Sequence, residues 1–91
     1  MEADQELVSL RQAMDVCNRR LAAVLQERAA LARRIGAWKR VHGAPAIDPV
    51  REAAMQAGIV ELGTTDGFDA AALQRIFAAV FAESRALVTG A

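Results

Sequence analysis

From Asp4 to Val41 the chain carries no proline and one glycine, Gly36, and its apolar residues return in alternating steps of three and four. Leu7, Leu10, Met14, Cys17, Leu21 and Val24 lead, Arg28 takes the next place, and Leu31, Ile35 and Trp38 follow. Such steps put side chains on one stripe of an α-helix, in the manner of a heptad seam. The pattern predicts one helix of roughly 35 residues, about 50 Å long. A compact chain of this size has a radius of gyration of only about 12 Å. The remaining residues cannot cover such a seam alone, so the pattern predicts a partner chain and at least a dimer.

The segment HGAPAIDP, residues 42–49, interrupts the pattern, with Gly43 and Pro45 as punctuation. Asp48 followed by Pro49 reads as an N-cap and a first helical position. A second helix is expected from about Pro49 to Ala57 or Val60, with Gly58 as a weak end. ELGTTDG, residues 61–67, reads as loop. Asp69 then caps a third helix to about Leu87, with Leu73, Ile76, Phe77, Val80, Phe81, Ser84, Leu87 and Val88 on its stripe. Residues 89–91 are expected to fray. The fold class is all-α, with three helices in a single domain over residues 1–91.

Composition narrows the function classes. Eleven basic and eleven acidic residues cancel, so no overall field marks the chain for nucleic acid or a membrane surface. Bound anions must therefore meet a local cluster. No apolar run is long enough to span a bilayer. The start MEADQEL is acidic and polar, unlike a signal peptide, and a cytoplasmic protein is the expectation. The single cysteine, Cys17, excludes an internal disulfide, and its place on the stripe predicts a small buried hydrophobe.

The polar residues that break the stripes carry the functional signal. A bare guanidinium at a seam position costs several kcal/mol unless paired. Arg28 could pair with a carboxylate across a dimer, extend its head to water, or meet an anionic ligand. Arg11 lies beside the seam next to Leu10. Lys39 lies beside Trp38 and on the face of Arg28, three helical turns away. On the second helix Glu52 shares a face with Met55 and Ile59, and Arg51 is adjacent. Ser84 interrupts the apolar stripe of the third helix. Each has a plain reading, since first-turn charges are usually solvated and a helix serine usually bonds its own backbone. Taken together, four cations and one acid at the edges of buried faces point to a pocket for a small polyanion. His42 has no Cys or carboxylate at ligand spacing, so no metal site is expected. A phosphate-binding glycine loop and a serine triad are likewise unsupported.

In these features the chain resembles the all-helical (AroQ-type) chorismate mutase family. The resemblance rests on LVSLRQAMD, LAAVLQERAALARRIGAWKR, GAPAIDPVREAAM and LQRIFAAVFAESRAL. Its specific elements are Arg–x16–Arg–x10–Lys, a downstream D-P-x-R-E and a C-terminal E-S-R. The resemblance implies an intertwined homodimer of three-helix chains, with two sites built from both chains and no cofactor. It implies the Claisen rearrangement of chorismate, a dianion, to prephenate. Arg11 of the partner chain and Arg28 would hold the two carboxylates, with Ser84 in support. Lys39 would donate to the ether oxygen, and Glu52 with the backbone at Asp48 would receive the ring hydroxyl. Arg51 would line the site, and Met14, Ile35, Met55 and Phe81 would form its apolar walls.

Two positions depart from the family. Asn18 stands where Asp is usual, at a position that looks structural. Val88 stands where relatives usually carry Gln or Glu, a second donor to the ether oxygen. Losing one preorganised donor costs roughly 3 kcal/mol in the transition state. Three accounts of Val88 are open: a weak mutase boosted by an activating protein partner, a related substrate such as 4-amino-4-deoxychorismate, or a displaced side chain with another donor. An isochorismate pyruvate lyase is a further reading, but those relatives keep the donor. D-P-x-R-E and Glu52 resemble the mutases more closely. A non-catalytic helical dimerisation module would also satisfy the seam, but it gains little from Arg28.

Overall fold

In a computed structural model, which describes residues 2–90, the chain forms three helices: α1 (Glu2–His42), α2 (Pro49–Val60) and α3 (Ala70–Thr89). The chain divides into two compact units, residues 1–31 and residues 32–91. The first unit holds the N-terminal part of α1. The second holds its last turns together with α2 and α3.

Each helix boundary has a local cause. Glu2 and Asp4 lie in the first turn of α1, and Lys39, Arg40 and His42 in its last. Both signs complement the helix dipole. Gly43 ends α1 at φ 65°, a conformation that glycine adopts without strain. The Ala44 N–H then donates to the Lys39 carbonyl at 2.9 Å, closing a Schellman turn. The His42 ring stacks on Trp38 at 4.0 Å between centroids and shares a 2.8 Å hydrogen bond with its carbonyl. Asp48 caps α2 by accepting from the Arg51 N–H at 3.1 Å, with Pro49 in the first turn. Asp69 caps α3 by accepting from the Ala72 N–H at 2.9 Å.

Three boundary expectations need correction. Gly58 lies inside α2 and does not end it; the helix runs to Val60, the further of the two ends expected. A Cβ at Gly58 would touch nothing, so the residue marks no close approach. α3 extends beyond Leu87 to Thr89, because Gly90 caps it in the left-handed conformation with its N–H on the Ala86 and Leu87 carbonyls. Thr89 is therefore helical, while Ala91 lies outside the described residues.

The second unit has a small, specific interior. α2 packs on α3. Met55, Ile59 and Val60 of α2 and Leu73, Phe77 and Val80 of α3 are half-buried, and Phe81 is buried. Phe77 and Phe81 meet at 5.8 Å with tilted rings, a favoured aromatic geometry. On α1 the buried residues are Ala32 and Gly36, not the large residues of the seam. Gly36 touches the end of α3: a Cβ there would lie 2.6 Å from the Val88 carbonyl oxygen and 3.0 Å from its Cα. Only a glycine admits that approach.

The seam is open in the single chain. Leu10, Met14, Leu21, Val24, Leu31, Ile35 and Trp38 are all 50–60% exposed. Cys17, expected to be buried, is exposed with them. Its stripe is not covered within one chain, so the expectation fails at that level.

Candidate active site

The last turns of α3 organise the polar residues of the second unit. Phe81, Ser84, Arg85 and Val88 stand at i, i+3, i+4 and i+7 and so share one face of the helix. Val88 lies against Gly36, one turn before Lys39 and Arg40. The Arg40 guanidinium donates to the Val88 carbonyl at 3.4 Å, a long contact. One turn earlier on α3, Arg85 reaches α2 and donates to Glu52 at 3.1 Å. α3 thus joins the end of α1 to the start of α2.

Lys39 is half-buried, and its ammonium donates to the Ala46 carbonyl at 2.9 Å in the loop before α2. An ammonium has three donors, so this contact leaves two for a ligand. Glu52 is half-buried, and Arg85 holds its Oε1. A carboxylate only accepts, and Oε2 can take a donor from a ligand. Asp48 is exposed and spends Oδ1 on the cap of α2. Arg51 is exposed in the first turn of α2. Met55 is half-buried one turn beyond Glu52, and Phe81 is buried. Ile35 is half-exposed on α1. The Ser84 hydroxyl donates to the Val80 carbonyl at 2.7 Å, the self-bonding common for a helix serine.

Three candidates belong to the first unit. Arg11 and Met14 are exposed, whereas Arg28 is half-buried. The row of apolar residues around Arg28 is more open than Arg28 itself.

Sequence reasoning missed two residues, Arg85 and Arg40. Arg85 stood inside the quoted E-S-R segment, but no periodicity ties it to a residue 33 positions away. Arg40 read as a last-turn charge, and only the approach of α3 gives it a long-range partner.

A sequence profile of the chorismate mutase type II family matches residues 10–89. The chain belongs to that family. Membership makes it an enzyme of the isomerase class, with chorismate the substrate at the level of the family. The all-α fold agrees with this family. No curated protein matches the chain. Among the described residues no three of His, Cys, Asp and Glu cluster where they could hold a metal ion, and no helix is long and apolar enough to cross a membrane.

Proposed function

We propose that the chain is a single-domain chorismate mutase that works as a homodimer and rearranges chorismate to prephenate. The observation that carries the reading is the junction at the end of α3. There a lysine with donors to spare and a half-buried glutamate sit on elements joined by one helix. The open seam of α1 supports the dimer. Contiguous apolar surface of this kind marks an interaction face, and heptad spacing suits a second copy of the same helix.

The chemistry asks for a fold-over of the substrate, not for a proton transfer. One C–O bond breaks while one C–C bond forms. Arg28 and the Arg11 of a second copy hold the two carboxylates, through bidentate guanidinium contacts. Lys39 donates to the ether oxygen as negative charge grows there. Glu52, with the backbone at Asp48, accepts the ring hydroxyl. Ser84 supports a carboxylate, and Arg51 lines the rim. Met14, Ile35, Met55, Phe81 and Val88 provide the walls. Rate then comes from orientation and from preorganised charge. The dianion supplies a counter-charge for Arg28 at its seam position.

Val88 offers no donor, so Lys39 acts alone at the ether oxygen. The test is side-by-side kinetics on chorismate and on 4-amino-4-deoxychorismate, with products identified by mass spectrometry. Efficient formation of prephenate supports the reading. Fast turnover of the amine alone would replace the substrate, and slow turnover of both would call for an activating protein partner.

A further inference from the structure

The ion pair between Arg85 and Glu52 has no role in the mechanism proposed above. It spans 33 residues, links α3 to α2 at 3.1 Å and is half-buried on both sides. Glu52 is the group assigned to the ring substituent at C4, and the role inferred for Arg85 rests on that assignment. We propose that Arg85 is a specificity-determining positioning residue, which orients Glu52 and biases the site toward a neutral hydroxyl rather than an ammonium.

Charge and valence set the bias. A hydroxyl needs only a lone pair, and Glu52 keeps Oε2 for it while Arg85 takes Oε1. An ammonium draws most of its affinity from net negative charge. Here a guanidinium offsets that charge within a few Å of any group bound at Oε2, and like charges at such range repel. The pair also fixes one orientation of the carboxylate, which shortens the search for a productive pose. Both side chains retain some solvent contact, with 43% of Arg85 and 29% of Glu52 exposed. Screening therefore keeps the bias moderate. Arg51 lies next to Glu52 in sequence, but its side chain is exposed, so Arg85 is the cation in contact with the carboxylate.

The experiment compares kcat/KM for chorismate and for 4-amino-4-deoxychorismate in the wild-type protein, Arg85→Gln, Arg85→Met and Arg85→Lys. Glutamine keeps a donor and removes the charge. Methionine keeps the apolar stem, and lysine restores the charge. A merely structural loss would scale both substrates together, so the ratio is the diagnostic. We expect the wild type to favour chorismate, and the glutamine and methionine variants to lower that preference by about two- to fivefold. Lysine should restore most of it. An unchanged ratio in both uncharged variants overturns the role of Arg85 while leaving the mutase reading intact, whereas a wild type that prefers the amine overturns the role of Arg85 and replaces chorismate as the substrate. A wild type that turns over neither substrate overturns the mutase reading and this inference with it.

Discussion

The two units of the chain solve the burial problem in different ways. In residues 32–91, interhelical contacts bury small and aromatic residues. Gly36 admits the backbone of Val88, Phe81 is 4% exposed, and an ion pair joins α2 to α3. In residues 2–31 a continuous helix shows leucine, valine and methionine to solvent. One unit is specified by contacts within the chain. The other carries an apolar stripe with the exposure of a surface, and helices in proteins gain most of their stability from packing. The difference supports the proposed dimer, in which the first unit would supply half of the interface. It also shows why a polar residue is informative there: Arg28 interrupts an otherwise apolar row.

The largest expected effect breaks the interface. Leu21→Asp should dissociate the dimer and unfold much of α1, because it buries two carboxylates per dimer at a cost of several kcal/mol. Sedimentation equilibrium and circular dichroism read the outcome. If the seam were an ordinary solvent face, the same change would stay within about 0.5 kcal/mol.

Arg28→Ala should lower kcat/KM for chorismate about a thousandfold. It should leave the dimer as stable or more stable, since it replaces a charge at an apolar seam position. Kinetics beside a thermal melt separates the two. Val88→Gln should raise turnover, by up to about a hundredfold, if a donor is all that is missing at that position. Because Val88 lies against Gly36, one turn before Lys39, a longer side chain there starts near the lysine.

The smallest effects contrast two glycines of the second unit. Gly36→Ala places a Cβ 2.6 Å from a backbone oxygen that cannot rotate away. It should lower stability by about 1–2 kcal/mol, or roughly 10 °C in Tm. Gly58→Ala meets no atom and should raise stability by about 0.5–1 kcal/mol through helix propensity. Differential scanning calorimetry of the pair tests whether the fold distinguishes the two glycines.

Much of this was legible in the sequence, for identifiable reasons. The seam, the caps at Asp48 and Asp69 and the face shared by Glu52, Met55 and Ile59 are local patterns, and local patterns survive folding. What was not legible depends on approach between elements. The buried face of α1 proved to be Ala32 and Gly36, small residues whose value lies in letting α3 close. Cys17 was placed correctly on its stripe, but that stripe is left open within a single chain. The Arg85–Glu52 pair was hidden because helix periodicity relates residues within one helix, not across two. Gly58 misled because glycine carries a breaking signal even where nothing requires it.

The most direct test asks whether one site takes residues from two chains. Arg11→Ala and Lys39→Ala proteins are each prepared, unfolded, mixed in equal amounts and refolded, and chorismate turnover is followed. If Arg11 serves its partner's site, each heterodimer holds one doubly altered site and one intact site, and the mixture should recover about a quarter of wild-type activity. If the mixture forms dimers yet stays as inactive as its components, the shared site is contradicted.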